Sequence, residues 1–203
     1  MSAQKRMTGE ERRKQIIDIA VDLFSKRGFA EVTTREIAAG AGINEATIYK
    51  HFESKEALYD AVLEYYSDRA LAVFDSVQID SKTDFRAAMS DLAHRAFGFM
   101  EQDPRIFRLM IYSGLHDDEF SENYFGRVGM KVLKTIQRAI SIGSEKGTIR
   151  KDVDPLYTSI TLMGMVIYYN IARFIVLRKF FKDLEDEKYI EHILKIAIEG
   201  LRP

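Results

Sequence analysis

GINEATIYKHF, residues 42–52, is the stretch on which the reading of this chain turns. Gly42 and Ile43 read as a turn, and Asn44 as the N-cap of a short helix. Two helical turns are marginal alone in water, so this helix needs an anchor. At 100° per residue Ile48 and Phe52 share one face. Ala46, Thr47, Tyr49 and Lys50 point away from it, with His51 at the flank. Two apolar anchors behind and large polar side chains in front predict a helix that presents a surface.

The flanking sequence supplies its support. A first helix is expected at about 9–27, where Ile16, Ile17, Ala20, Val21 and Phe24 form a stripe at 3/4 spacing. Gly28 follows Lys26 and Arg27, which is stop chemistry. In VTTREIAAGAG, Thr33 and Glu36 have capping-box spacing, so a second helix should run over about 34–41. The third covers about 44–52. Three helices with a tight turn at Gly42 and a polar outward face on the last describe a helix-turn-helix, whose last helix enters the DNA major groove. The expected domains are 1–55, a helix-turn-helix DNA-binding domain, and 56–203, a larger helical effector-binding and dimerisation domain.

Here the sequence resembles the TetR family of transcriptional regulators. The Thr-Thr opening, the Ile-Ala pair, the Ala-Gly-Ile turn, the Thr-Ile-Tyr-x-His-Phe run and the Ser-Lys-Glu start of the next helix lie in register over about residues 10–65. The resemblance implies an all-α fold and DNA contacts at Thr33, Thr34, Arg35, Thr47, Tyr49, Lys50, His51 and Lys55; Glu45 and Ala46, at the start of the third helix, complete the candidate set. The residue chemistry agrees. Thr33 and Thr34 sit at a helix N-terminus suited to phosphate. Arg35 can reach guanine O6/N7. Thr47, Tyr49 and His51 carry donors for phosphate oxygens, Lys50 suits a base edge or a phosphate, and Lys55 can clamp the backbone. Ala46 touches a thymine methyl or gives clearance. Glu45 either accepts from cytosine N4 or stabilises its helix N-terminus.

The remainder is helical by periodicity. Helices are expected from Lys55 into the seventies, over 85–100, from Asp103-Pro104, over about 119–145, over about 155–181 and over about 186–201. A monomeric helix-turn-helix reads only one half-site, and genomic discrimination needs two. The helices at about 155–181 and 186–201 are the expected homodimer contacts, where the resemblance also places them. Large soft and polar residues between 84 and 181 are the expected effector contacts: His94, Arg95, Phe97, Phe107, Met110, Tyr112, Phe125, Met163, Tyr168, Asn170 and Arg173. The expected effector is small and largely apolar.

Composition narrows the classes. Hydrophobic residues make up 46% and charged residues 30%, too apolar for disorder. Net charge is −1, but residues 1–55 hold ten Lys/Arg against eight Asp/Glu. There is no cysteine, so thiolate metal sites and disulfides are excluded. No metal or other cofactor is expected. SITLMGMVIYYNIARFIVL, residues 159–177, is interrupted by Asn170 and Arg173 and reads as a buried helix rather than a membrane span. Asp91-Leu92-Ala93-His94 lacks the partner motifs of a di-iron bundle, and His116-Asp117-Asp118 falls in an expected loop. No nucleotide-binding glycine pattern or nucleophile grouping appears. The expected protein is a cytoplasmic, non-enzymatic regulator that binds a double-stranded operator. A repressor released by a small molecule is the first reading; an activator or a ligand-independent DNA-binding protein of the same fold is the alternative. The fourth helix is the expected link between the two ends.

Overall fold

A computed structural model describes residues 7–115 and 125–203. His116, Asp117 and Asp118, and residues 119–124 of the helix expected over about 119–145, lie outside the described residues. Ten α-helices, and no strand, occur among those described. Helix α1 (Gly9–Glu31) starts with a capping box in which the Thr8 side chain accepts from Glu11 N at 3.1 Å and Glu11 returns to Thr8 N at 2.7 Å. Its helical geometry breaks at Gly28, whose φ is +77° and ψ 170°. Only glycine adopts that region freely, which lets Phe29 turn back onto Phe24 and Tyr59.

Helices α2 (Thr34–Gly40) and α3 (Glu45–Ile48) pack on each other, and α2 packs on α1. Strict α-helical bonding in α3 covers four residues, fewer than the expected 44–52. The chain continues as tight turns in which His51 N and Phe52 N both donate to Ile48 O at 2.9 Å. Ser54 then caps the next helix through Ala57 N, so the chain must leave the helical path before residue 54. Ile48 is fully buried against Ile16, Ile37 and their neighbours, with Phe52 beside it.

Helix α4 (Lys55–Asp75) packs on α1. Leu58, Tyr59, Val62 and Tyr66 belong to the same buried cluster as the α1 stripe. Helix α5 (Phe85–Gln102) is the centre of the larger half. It touches α4, α7 (Met130–Glu145), α8 (Pro155–Ile171) and α10 (Asp186–Leu201). Helix α6 (Arg105–Leu115) lies chiefly on α1. A π-helical turn, Phe125–Gly129, leads into α7.

The apolar segment differs from expectation in two ways. First, α8 does not run unbroken to 181. A π-helical turn at Ala172–Val176 follows it, Leu177 leaves helical geometry, and a short α9 (Arg178–Phe181) precedes α10. Arg173 ties the return by donating to Leu184 O at 2.9 Å and pairing with Asp186. Second, the segment is not buried. Pro155–Val176 is long and apolar enough to cross a membrane by length and composition, yet only 22% of its most apolar window is covered. Its polar Ser159 and Asn170 face inward while Leu156, Tyr157, Ile160 and Tyr168 face out. Periodicity could not reveal this, because nearly every position of the segment is apolar.

Gly28→Ala should destabilise the fold by about 1–3 kcal/mol, since alanine is strained in that backbone region. A β-carbon there also meets the Tyr112 ring at 3.2 Å. Urea unfolding of the two proteins is the measurement; equal midpoints would mean the break at Gly28 is dispensable.

Candidate nucleic-acid interface and effector cavity

The polar face of α2 and α3 is built from local caps. Thr33 caps α2 by accepting from Glu36 N at 3.3 Å, and Glu36 returns to Thr33 N at 2.8 Å. Arg27 also donates to Glu36 at 2.8 Å, and this contact leads the causes that hold the Glu36 carboxyl at about 2. Asn44 caps α3 through Ala46 N at 2.9 Å. Arg35 and Lys50 are exposed and have no hydrogen-bond or ion-pair partner among the described residues. They are therefore free to bind an anion or a base edge.

The other expected DNA contacts lie on or beside the same face. Tyr49 is half exposed. Ala46 is exposed, Thr47 half-buried, and His51 sits beside the Phe52 ring. Lys55 places its ammonium 4.1 Å from the centroid of Phe29, a cation–π contact that fixes the side chain at the start of α4. Thr34 and Glu45 face each other: Thr34 Oγ1 donates to Glu45 Oε1 at 2.6 Å. This contact joins the first residues of α2 and α3. Sequence reasoning missed two supports. Arg13 lies 4.7 Å over the Phe52 ring, and Gln15 holds Ala41 O at 3.3 Å. Neither has a local sequence signature.

The expected effector contacts separate into two sets. A cavity of about 140 Å³ lies between α5, α6, α7, α8 and α10, with Phe74 of α4 at its edge. Phe107, Met110 and Met163 line it, together with Met89, Met100, Met165 and other apolar residues. Every described lining side chain is apolar.

The remaining residues lie elsewhere, each for a visible reason. His94 bonds Ser90 O at 2.7 Å and Glu187 at 2.8 Å across to α10. Arg95 binds Asp91, Ser76 and the carbonyl of Val73. Phe97 packs on Tyr169 and Tyr189. Tyr168 is exposed. Asn170 is buried and donates to Val166 O at 2.8 Å, and Arg173 pairs with Asp186. The Phe125 side chain is outside the described residues.

Tyr112 points the other way, to α1, where its hydroxyl donates to Lys26 O at 3.1 Å. At the opposite end of α6, Arg105 binds Asp103 at 2.8 Å and Asp18 of α1 at 2.9 Å. Tyr66 of α4 donates to the same Asp103. Burial, then the Asp103 carboxylate, pushes the Tyr66 phenol far above its usual range. The phenol therefore stays a donor.

The chain resembles known proteins in both halves. The family profile described as bacterial regulatory proteins, tetR family, matches residues 16–62. A second profile, tetracyclin repressor-like C-terminal domain, matches residues 86–200. The HTH-type transcriptional regulator YerO of Bacillus subtilis is 28% identical over 167 residues, 81% of this chain and 57% of that protein. The chain spans little more than half the length of the curated relatives it matches. The ketosteroid transcriptional regulator KstR2 of Mycobacterium tuberculosis superposes with a TM-score of 0.74 at 21% identity, covering 100% of both chains. AibR, solved with isovaleryl coenzyme A and operator DNA, gives a TM-score of 0.72 at 22% identity, covering 91% of this chain and 97% of its own. At these identities the two structures establish the fold.

His94 provides a pH-dependent check on the α5–α10 contact. Glu187 first, then the Ser90 carbonyl, raises its pKa above the ordinary value. A raised folded pKa stabilises below the unfolded value of about 6.5 and ceases to stabilise as pH rises through the folded one. An NMR titration should place the His94 midpoint above that of His94 in the Glu187→Gln variant. Coincident midpoints would remove the ion pair.

Proposed function

Because the chain belongs to the tetR family of bacterial regulatory proteins, we propose that it is a repressor that releases a pseudo-palindromic operator when a small apolar molecule fills the cavity. The observation that carries this reading is the position of α6. Phe107 and Met110 of that helix line the cavity, while Tyr112 and Arg105 grip α1. A change in cavity packing is thus transmitted to the DNA-binding helices through α6 as well as through α4.

In this reading α3 and the N-terminus of α2 dock in the major groove. Arg35 reads guanine, Lys50 takes a base edge or phosphate, and Thr33, Thr47, His51 and Lys55 engage the backbone. Ala46 gives clearance or meets a thymine methyl. Tyr49 and Thr34 flank the docking face beside Glu45. The bare face of α8 supports dimerisation. Tyr157, Ile160, Gly164 and Tyr168 recur at helical spacing on its exposed side, and Ile196 is exposed on α10. A second copy crossing there buries apolar surface that water otherwise covers. Half-sites are set about 34–36 Å apart by the DNA helical repeat, so a shift of a few ångströms in recognition-helix spacing loses one set of contacts. A ligand drives that shift only if it prefers the non-binding state. A cytoplasmic location follows from an operator on the chromosome.

The cavity narrows the effector. Among the described residues its lining offers no hydrogen-bonding side chain, and about 140 Å³ is close to the ~150 Å³ of an apolar cavity that takes up benzene. A single ring or a short branched acyl chain fits without expansion. The isovaleryl group carried by the AibR ligand belongs to that class.

Selection from random duplex DNA should return a pseudo-palindrome. Arg35→Ala should lose about 1–3 kcal/mol of discrimination at one base pair per half-site; uniform weakening would make Arg35 a phosphate contact. Ile160→Glu should yield monomers by light scattering and lose operator binding; a dimeric variant would place the interface elsewhere. Isovaleryl coenzyme A and a homologous series of acyl compounds should be titrated against the operator complex. At least one should lower operator affinity, and Ala96→Phe, which fills the cavity, should abolish that response while still binding DNA. A ligand that binds tightly and leaves operator affinity unchanged overturns the release mechanism.

A further inference from the structure

We propose that Glu45 is an oriented hydrogen-bond acceptor that reads an exocyclic amino group in the major groove, and that Thr34 and Tyr49 hold it in place. This rests on the docking of α3 proposed above and assigns what that docking recognises.

The assignment follows from proton bookkeeping. Thr34 Oγ1 lies 2.6 Å from Glu45 Oε1 and 3.2 Å from Tyr49 Oη. A threonine hydroxyl has one proton, and the carboxylate takes it. The Tyr49 hydroxyl is therefore the donor in the second contact. The chain of donation runs from Tyr49 to Thr34 to Glu45 and ends on a group that only accepts. Thr34 is 8% exposed, so its hydroxyl has little freedom to turn elsewhere. Glu45 Oε2 has no hydrogen-bond partner among the described residues and is not counted among the buried unpartnered atoms.

Two consequences follow. Thr34 and Tyr49 have spent their protons inside the protein, so neither hydroxyl donates to a phosphate in this arrangement. In this proposal their role is to position Glu45. Second, Glu45 is the first residue of α3, in the part of a recognition helix that meets base edges. There it offers lone pairs alone. Cytosine N4 and adenine N6 present donors in the major groove, whereas guanine O6 and thymine O4 present acceptors and are repelled. Glu45 thus costs some affinity through its charge and contributes discrimination. Arg35 and Lys50, without partners among the described residues, supply the attraction.

Glu45→Gln tests the polarity directly. The glutamine carbonyl can keep the Thr34 hydrogen bond, which turns the amide donor outward in place of the free oxygen. Wild type, Glu45→Gln and Thr34→Val should each be put through selection on random duplexes, with melting curves to establish that each is folded. Wild type should select cytosine or adenine at one position in each half-site. Glu45→Gln should lose that preference by about tenfold, the scale of one base-edge contact, and shift toward guanine or thymine there. Thr34→Val should weaken preference at that same position and leave the others alone. The proposal is overturned if Glu45→Gln selects the same bases as wild type, or if it tightens binding equally at every position, as mere relief of repulsion would. If wild type selects no duplex at all, the DNA-reading premise itself fails and the assignment falls with it.

Discussion

Burial of Ile48 is the contact on which the exposed polar face of α3 depends. A four-residue helix cannot sustain itself in water, because nucleation costs more than a single turn returns. Ile48 inserts fully into the cluster formed by the α1 stripe and Ile37, and Phe52 closes the segment four residues later. Asn44 caps one end and the Ser54 cap starts α4 beyond the other. These constraints leave α3 a single orientation. Its outward side chains are then exposed because the inward positions are already filled.

The same cluster runs without interruption into α4, and α6 lies across α1. The N-terminal helices are therefore not an appendage on a flexible tether. Arg105, Asp103, Asp18 and Tyr66 join three helices through charge-assisted hydrogen bonds. Tyr112 satisfies a carbonyl near the end of α1 at the point where Gly28 breaks the helix. α6 thus lines the cavity and grips α1, on which α2 packs, and this contiguous path is the one the proposed coupling uses.

The larger half combines an apolar-lined cavity with exposed apolar residues on α8. In α8 the polar Ser159 and Asn170 are inside and Tyr157, Ile160 and Tyr168 are outside. An isolated chain built this way leaves apolar surface in water, a cost that the proposed pairing through α8 would remove. Among the described residues the cavity lining is uniformly apolar, so the proposed effector would be distinguished by size and shape.

Signals acting within one element or between adjacent ones were legible in the residues alone. Capping at Thr33, Asn44 and Ser54, the stop at Gly28, the α1 stripe and the all-helical class all arise from spacings of three or four residues or from the backbone freedom of one glycine. So does the turning of Tyr49 and Lys50 away from the buried Ile48. What only tertiary structure decided involves partners distant in sequence. The Tyr112–Lys26 and Arg105–Asp18 bonds span 86 and 87 residues. His94, Arg95 and Arg173 resembled ligand contacts by type, yet each found a polar partner on another part of the chain that drew it away from the cavity. The exposed side of α8 was hidden because a helix apolar all round carries no periodic signal of which face is covered. The Thr34–Glu45 hydrogen bond, between residues eleven apart, likewise had no local signal. Local chemistry determines where helices begin, end and turn; which side chains satisfy one another is settled only when those helices pack.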